Sequence, residues 1–137
     1  MRIVSYRSEH FAGVAALWEA CFPDDPPRNR AAAAIPAKLA ENDGLFFVAE
    51  GPAGEVQGTA MAGYDGHRGW LYAVAVNPQL RQRGIGRALV EHACADLAAR
   101  GCGKVNLQVR EGNEAVAAFY EELGFEREPR ISFGRLL

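Results

Sequence analysis

The 137-residue sequence predicts one mixed α/β domain with a central, twisted, mostly antiparallel sheet of about six to seven strands and helices on both faces. Short apolar runs separated by turn residues fill the first half, and a strand–helix–strand–helix unit follows them. Hydrophobic residues make up 49% of the chain, which is typical of a globular protein and sufficient for a core without disulfides. We therefore expect residues 1–137 to form a single domain.

The first third of the chain predicts a strand and two helices. Arg2 to Tyr6 is predicted as a short strand, and Ser8 is placed to cap a helix with an apolar stripe. Three prolines within Pro23 to Pro27 end that helix, because proline lacks an amide donor and clashes with the preceding turn. Arg28 to Glu41 is alanine-rich and predicted to be helical, with a break or a new start at Pro36.

Three strands joined by tight turns are predicted next. Leu45 to Glu50 and Glu55 to Tyr64 form an antiparallel pair across a Gly-Pro-Ala-Gly turn. An Asp-Gly turn then leads to the strand from Gly69 to Val76. The residues of this third run are mostly apolar, which predicts a central position in the sheet.

Two helices alternate with the remaining strands. The helix from about Gly86 to Arg100 buries one apolar stripe, and Gly101 follows it in the position of a left-handed C-cap. Lys104 to Val109 is predicted as a strand, and a helix from about Asn113 to Leu123 follows and ends before a second glycine. Residues 126–137 are expected to add one or two final strands.

Composition and charge exclude several classes of function. Fifteen basic and seventeen acidic residues give a formal charge of −2 without a lysine-rich tract, so nucleic acid is not an expected partner. No apolar run approaches the length that crosses a bilayer, and no basic-then-apolar leader opens the sequence. The three cysteines lack metal-ligand spacing, so we expect a reducing cytoplasm and no metal. The apolar tail from Ile131 to Leu137 is compatible with a homodimer.

A glycine turn between a predicted strand and a predicted helix is the most informative local feature. Gly84 and Gly86 let the backbone bend tightly and approach a ligand, because neither carries a Cβ. The first amides of a helix lack intrahelical acceptors, and the helix dipole adds partial positive charge there. Arg81, Arg83 and Arg87 add guanidinium groups, which bind phosphate oxygens in pairs. The turn therefore predicts a phosphate or pyrophosphate site, and a plain connection with solvated arginines is the simpler alternative.

With its elements in this order, the sequence resembles the GNAT superfamily of N-acetyltransferases. The family's Arg/Gln-x-x-Gly-x-Gly/Ala signature is matched by Arg81 to Gly86, and its second hallmark is matched by Asn113 to Phe125. Residues from Leu45 onward, especially Gly63 to Gly69, are most similar to bacterial YpeA-type acetyltransferases. The resemblance covers essentially the whole chain.

The resemblance implies acetyl-CoA as the donor and a primary amine, of a small molecule or a protein, as the acceptor. It implies that the backbone of Val74, Ala75 and Val76 pairs with the pantetheine arm of the coenzyme. It also implies that Asn113 makes a polar contact to the coenzyme and that Tyr120 lies near its sulfur. The residues whose amides are implied to bind the pyrophosphate are Arg81, Gln82, Arg83, Gly84, Ile85, Gly86, Arg87 and Ala88.

Tyr120 is the candidate general acid for acetyl transfer. In the implied reaction the amine attacks the thioester directly in a ternary complex, and a thiolate whose pKa is near ~8.5 leaves. A tyrosine has a pKa near ~10, so Tyr120 is protonated at neutral pH and can donate a proton. The alternative is that Tyr120 is only a core aromatic, which is the role we expect for Phe119.

The general base stays open at this stage. The candidates in the turn before the central strand are Asp65 and His67, and Glu111 or an ordered water is a further candidate. Tyr72, on that strand, is a candidate for holding such a water. Gln108 stands where ribosomal-protein acetyltransferases of the superfamily carry a glutamate, and glutamine cannot accept the proton. This substitution counts against that particular activity. The missing base favours, as the alternative function, a non-catalytic sensor or interaction module that binds CoA or acyl-CoA, and a longer acyl-CoA donor is a further alternative.

Overall fold

The computed structural model describes every residue from Met1 to Leu137 and divides into two compact units, which are described separately. Unit 1 comprises Met1–Leu107 and contains all of the strands and three of the α-helices. Unit 2 comprises Gln108–Leu137 and contains the fourth α-helix. No helix combines the length and the apolar character that crossing a membrane requires.

Unit 1 is built on a five-stranded sheet whose strand order is the chain order. The first three strand pairs are antiparallel and the last is parallel. The strands are β1 (Arg2–Ser5), β2 (Phe46–Glu50), β3 (Val56–Tyr64), β4 (Gly69–Val76) and β5 (Val105–Asn106). The helices are α1 (Phe11–Cys21), α2 (Ala31–Ala40) and α3 (Ile85–Ala99) in unit 1, and α4 (Glu114–Glu122) in unit 2.

Helices cover both faces of the sheet, as the sequence predicts. All five residues of β2 are buried, and successive side chains of a strand point to opposite faces. Phe46 and Val48 pack in the core that α1 and α2 form on one face. Phe47 points the other way, and its ring centroid lies 4.7 Å from that of His92 on α3. The β2 strand is therefore buried on both faces.

The α1–α2 core depends on the apolar stripe that the sequence predicts for the first helix. Val14, Leu17 and Trp18 are buried, and on α2 the buried residues are Ala31 and Ile35. These positions recur every three or four residues, which places them on one side of each helix. The stripe of the first helix is thus confirmed, although the helix begins three residues after Ser8.

Helix α3 packs against β3 at Gly58, where the strand has no side chain. A Cβ at Gly58 would lie 2.8 Å from the carbonyl oxygen of Ala75 and 2.9 Å from Cδ1 of Leu89. Both distances are shorter than real Cβ contacts, so any larger residue would displace α3 or β4. Helix α3 ends as predicted at Gly101, whose φ is +91°.

A buried polar cluster joins the start of the chain to the end of β2. Glu50 is 4% exposed, and its carboxylate accepts from Nε2 of His10 at 2.7 Å and from Nη2 of Arg7 at 2.8 Å. The Nδ1 atom of His10 accepts from the backbone N–H of Arg7 at 2.9 Å, so the ring proton must lie on Nε2. The hydrogen bond from His10, opposed by burial and assisted by Arg2 and Arg7, lowers the pKa of Glu50 to about 2.

The prediction of six to seven strands is wrong, because five strands form. The predicted strand from Lys104 to Val109 is only Val105–Asn106, which pairs with the first two residues of β4. Residues 126–137 contain no strand. The segment after α4 is instead held by side chains, since Nη2 of Arg127 lies 2.6 Å from Oε2 of Glu114 and 3.3 Å from Oε1 of Glu121.

Two local predictions in the first third of the chain are also wrong. Pro36 does not break the second helix, which runs from Ala31 to Ala40 around it. Proline removes only one amide donor, and the buried Ile35 keeps the helix on the core. Ser8 does not cap the first helix, because Ser8–His10 form a 3-10 turn in which the His10 ring accepts from the backbone N–H of Arg7.

Candidate functional site

The turn between β4 and α3 exposes its backbone. Residues 81–84 are all exposed, and Gly84 is the N-cap of α3 with φ +82° and ψ +4°. A Cβ on Gly84 would meet no atom within 4 Å, so the left-handed backbone alone accounts for the glycine. Gln82 is also left-handed, with φ +63°, which is uncommon for a residue other than glycine.

The first turn of α3 leaves three amides without intrahelical acceptors. The first helical hydrogen bond of α3 runs from the N–H of Ala88 to the oxygen of Gly84 at 3.0 Å. The N–H groups of Ile85, Gly86 and Arg87 precede it, and the first turn carries no acidic side chain. Gly86 lies inside the helix without a positive φ, so the expectation that both glycines bend the turn is wrong. Only Gly84 has that role.

The three arginines of the turn have different surroundings. Nη2 of Arg81 lies 3.8 Å from Sγ of Cys21, at the end of α1. Nε of Arg87 lies 3.1 Å from Oε1 of Glu91, one helical turn further on and on the exposed face of α3. Arg83 is exposed and forms no ion pair. It is therefore the arginine whose guanidinium is least committed to protein partners.

The β4 strand contains a bulge immediately before its last residues. Thr59 pairs with Ala75 and Met61 pairs with Tyr72, so β4 has one more residue than β3 between these pairs. Ala73 in the bulge has φ +48°, a conformation that costs of the order of 1–3 kcal/mol for a residue other than glycine. The carbonyl oxygen of Ala73 accepts a hydrogen bond from Oγ1 of Thr59 at 2.9 Å.

The edge of β4 that faces away from β3 is open over most of its length. The β5 strand pairs only with Gly69 and Trp70, so from Leu71 to Val76 β4 is paired on one side only. This stretch includes Val74, Ala75 and Val76, and it continues directly into the turn and the first turn of α3. Unit 1 thus presents these predicted coenzyme-binding residues in one unbroken segment.

Unit 2 holds the other two predicted site residues, Asn113 and Tyr120. Asn113 is the N-cap of α4, and its Oδ1 accepts from the N–H of Val116 at 3.3 Å. Tyr120 is 8% exposed, and its ring meets Phe119 and Phe125 edge-on, with centroid distances of 4.9 Å and 5.6 Å. Helix α4 ends at Glu122, before the expected glycine, and the N–H of Phe125 donates to the oxygen of Tyr120 at 3.0 Å across this end.

The candidate bases differ in what surrounds them. Oδ1 of Asp65 accepts from the backbone N–H groups of Arg68 and His67 at 2.9 Å and 2.8 Å. These hydrogen bonds lower the pKa of Asp65, which makes it a turn former and a weak base. His67 and Glu111 are exposed.

The structure also shows the surroundings of Tyr72 and Gln108, two further polar side chains named in the sequence analysis. Tyr72 is half exposed on β4, and its pKa is raised by burial and then by the charge of Asp65. Its phenol therefore stays protonated at neutral pH and can hold a water. Nε2 of Gln108 donates to Oγ of Ser132 at 2.5 Å, so this glutamine serves a contact within unit 2.

The sequence analysis missed the buried hydrogen bonds that lie behind the bulge. Nε1 of Trp18 donates to Oγ1 of Thr59 at 2.9 Å, and both residues are buried. Trp18 is therefore a core residue that also donates a buried hydrogen bond. A lone threonine in an alternating strand carries no sequence signal for such a contact, and the register that creates it comes from β3 and β4 together.

Comparison with known proteins shows one consistent family. The model of the acetyltransferase (GNAT) family matches residues 11–125. An acetyltransferase of Pectobacterium atrosepticum is 43% identical over 141 residues, which span 100% of this chain and 96% of that protein.

Solved structures agree with this match. The ribosomal-protein-S18-alanine N-acetyltransferase of Escherichia coli is 28% identical with a TM-score of 0.73, over 93% of this chain and 78% of that chain. An aminoglycoside N-acetyltransferase, AAC(6′)-Iy, solved with a bisubstrate analogue that contains CoA, has a TM-score of 0.74 over 99% of this chain and 97% of that chain. At 22% identity this second likeness shows the fold alone.

Proposed function

Because the chain belongs to the GNAT acetyltransferase family, we propose that it moves the acetyl group of acetyl-CoA to a primary amine of a small molecule or a protein. The observation that carries the proposal is the exposed turn from Arg81 to Gly84 with the free amides of the helix that follows it. Backbone N–H groups, the positive end of the helix dipole and the unpaired Arg83 together suit the diphosphate of a coenzyme.

The open edge of β4 suits the pantetheine arm. An extended chain can add to an unpaired strand edge through backbone hydrogen bonds, and Val74, Ala75 and Val76 offer such an edge next to the diphosphate turn. The coenzyme would then lie along one continuous stretch of the chain. Its sulfur would be carried toward the bulge at Ala73.

The reaction we propose is direct attack in a ternary complex. A neutral amine nitrogen attacks the carbonyl carbon of the thioester, the oxygen takes negative charge, and the carbon–sulfur bond then breaks. The amine loses one proton to a water held near the site, and the thiolate of CoA takes one proton from Tyr120. Tyr120 then regains a proton from solvent, so one proton moves from the amine to the thiol overall. A fixed backbone N–H of β4 stabilises the oxyanion, because a preorganised donor needs no reorientation as the charge develops.

The proposed acceptor is a primary amine, and the acceptors of similar proteins suggest which amines to test. The Escherichia coli relative acts on the alanine of ribosomal protein S18, and AAC(6′)-Iy acts on aminoglycosides. Gln108, which is bound to Ser132, cannot replace a glutamate as base, and this favours small amines over the ribosomal protein. We propose a small-molecule amine as the first class to test.

Thiol release from acetyl-CoA tests the proposal. The full-length protein is incubated with acetyl-CoA and a panel containing neamine, polyamines, amino acids and a peptide with an N-terminal alanine. We expect thiol release and one acetylated amine. Thermal stabilisation by acetyl-CoA and not by ATP is expected in parallel. Tight binding without turnover on any amine would favour the sensor instead, and stabilisation by ATP alone would contradict both.

Three broader expectations belong to the same proposal. The family match crosses both units, which supports one domain and predicts a single cooperative unfolding transition. The three free cysteines and the bacterial relative support a bacterial cytoplasmic protein. The exposed apolar side chains Ile131, Phe133, Leu136 and Leu137 support a homodimer, which light scattering would detect as a doubled mass.

A further inference from the structure

We infer that Trp18 and Thr59 are positioning residues for acetyl transfer: their buried hydrogen bonds fix the direction in which the β4 bulge presents its backbone. The inference rests on the proposed function and adds residues that lie outside the coenzyme-binding segment. It begins from the bulge, where Ala73 has φ +48° and the pairing with β3 shifts by one residue.

A strained bulge persists only where its surroundings hold it in place. Without such support, β4 could pair with β3 in regular register and relieve the unusual φ of Ala73. The hydroxyl of Thr59 provides the support by donating to the oxygen of Ala73 at 2.9 Å. Thr59 is fully buried, so water does not compete for this hydrogen bond.

Trp18, on helix α1, donates the first of two consecutive hydrogen bonds, from Trp18 to Thr59 and from Thr59 to Ala73, which we call the relay. Its indole Nε1 donates to Oγ1 of Thr59 at 2.9 Å. The indole N–H of Trp18 can only donate, and the carbonyl oxygen of Ala73 can only accept. The single hydroxyl proton of Thr59 is therefore donated to Ala73. The order of donors is therefore fixed, from Trp18 to Thr59 to Ala73, and the ring itself is held in the α1–α2 core.

The relay sets the orientation of a donor on β4. The peptide between Ala73 and Val74 is trans, so its carbonyl and its N–H point in opposite directions. Holding the oxygen of Ala73 toward Thr59 directs the N–H of Val74 away from Thr59. Val74 is the first of the three residues, Val74 to Val76, along which we place the acyl-CoA.

The consequence for catalysis is a donor with one fixed direction. A backbone N–H stabilises a thioester oxyanion only if it is already aimed at the oxygen when the charge forms. Rotation of this peptide would leave the diphosphate turn untouched and would misplace the donor. The relay should therefore affect kcat more than the affinity for acetyl-CoA, because the diphosphate contacts lie elsewhere.

The closing experiment replaces Thr59 by valine, which keeps the shape and removes the hydroxyl. We expect Thr59→Val to lower kcat about 10- to 100-fold, the scale of a misplaced reacting group, while KM for acetyl-CoA changes less than threefold, ~0.6 kcal/mol. Thr59→Ser restores the hydroxyl and should return kcat to within a few-fold of wild type. Ile35→Ala, which leaves a cavity in the same core and removes neither hydrogen bond, is the control for lost stability.

A second variant keeps the inference testable if Thr59→Val does not fold. Trp18→Phe keeps an aromatic ring but removes the indole donor together with part of the buried ring system. The hydroxyl of Thr59 stays in place, so kcat should fall by a smaller factor, about 3- to 10-fold. In the Thr59→Val background, Trp18→Phe should lower kcat no further, because the relay is already broken. The amide signal of Val74 in a two-dimensional NMR spectrum should move in both variants and stay in place in Ile35→Ala.

The outcomes separate this inference from the proposed function. An active wild type with unchanged kcat in Thr59→Val, or an unmoved Val74 amide, would overturn the positioning role alone. Equal loss of kcat in Ile35→Ala would show that the effect is general destabilisation, and would also overturn it. A wild type that transfers no acetyl group to any amine would end the proposed function, and the positioning role would end with it.

Discussion

Tyr120 is the side chain on which the proposed proton transfer depends. Its ring is held edge-on between Phe119 and Phe125, so Tyr120→Phe should keep the fold of α4 and remove only the phenol oxygen. We expect turnover to slow by at most about 10²–10⁴-fold, the usual contribution of one general acid. Steady-state kinetics with the best amine of the panel measures the change.

The matching control is Phe119→Leu, which alters the same aromatic group without touching the phenol. We expect turnover near that of wild type for this control. If Tyr120→Phe also retains turnover within a few-fold of wild type, Tyr120 has no part in the mechanism and is a core aromatic only.

Arg83 should contribute to coenzyme affinity through its charge. It is the exposed arginine of the turn with neither an ion pair nor a side-chain contact like that of Arg81 with Cys21, so Arg83→Glu reverses a charge close to the proposed diphosphate site. We expect acetyl-CoA to bind about 1–3 kcal/mol more weakly, and the loss should shrink as salt is added. Isothermal titration calorimetry at two salt concentrations checks both.

Arg100→Glu makes the same change in net charge at the opposite end of α3, where Arg100 pairs with Asp96 at 2.6 Å. Its affinity for acetyl-CoA should match the wild type. An Arg83→Glu protein with wild-type affinity would mean that this guanidinium points into solvent in the complex.

Single-residue roles were predictable from sequence only where the residue type limits the chemistry. Gly84 was predictable because glycine enters the left-handed region without strain, and its φ is +82°. Gln82 and Ala73 occupy the same region without any such mark in the sequence. Their conformations follow from the turn and from the strand pairing around them, which a reading of individual residue types does not contain.

At the level of elements, Gly84→Ala tests how the turn and α3 are joined. A Cβ would meet no atom, so the cost is backbone strain of about 1 kcal/mol in the free energy of unfolding, together with weaker acetyl-CoA binding. Gly103→Ala is the matched control, since its Cβ also meets no atom and its φ is not positive. Urea unfolding and calorimetry measure the two effects. Equal stability of the two variants would contradict the left-handed turn.

The ends of a helix or strand were predictable where a local residue such as glycine terminates it. They were less predictable where contacts with a neighbouring element set its length. The prediction of α3 and its C-cap at Gly101 needed only an apolar stripe and a glycine. The last strand is short because pairing with β4 stops after Trp70, and that limit belongs to the partner strand. Likewise, α2 continues through Pro36 because the buried Ile35 outweighs one missing hydrogen bond.

For the molecule as a whole, Glu50 should make the free energy of unfolding depend on pH. Its pKa in the folded state is about 2, below the value near ~4.3 of an unperturbed glutamate, so the unfolded chain takes up the proton first as the pH falls. The stabilisation is fully present above about pH 5 and is lost as the pH falls toward 2. We expect the difference in unfolding free energy between wild type and Glu50→Gln to narrow over that range.

Urea unfolding of both proteins at several pH values between 2 and 7 provides the measurement. Other carboxylates titrate in the same range and cancel in the difference between the two proteins. A difference that stays constant from pH 7 to pH 2 would show that Glu50 has an ordinary pKa and that its contacts with His10 and Arg7 do not hold its charge.

The order of elements was the most predictable property of the whole chain, because turn residues separate every strand and helix of the sheet. The mostly apolar run of β4 predicted a central strand, but β4 is paired on one side only from Leu71 to Val76. The buried cluster of Glu50, His10 and Arg7 was not predictable, since its members lie up to 48 positions apart when Arg2 is included. Only the pairing of β1 with β2 brings them together.

The missing side chain at Gly58 has a wider consequence. Gly58 governs how closely α3 packs on the sheet, and therefore where the proposed diphosphate turn lies relative to β4. It stands more than twenty residues before that turn and touches no ligand in the proposed complex. A methyl group there would displace α3 or β4, and would therefore disturb the proposed diphosphate turn that joins them. A random mutagenesis screen for lost activity should therefore recover substitutions of Gly58 as well as substitutions of the residues proposed to bind the coenzyme.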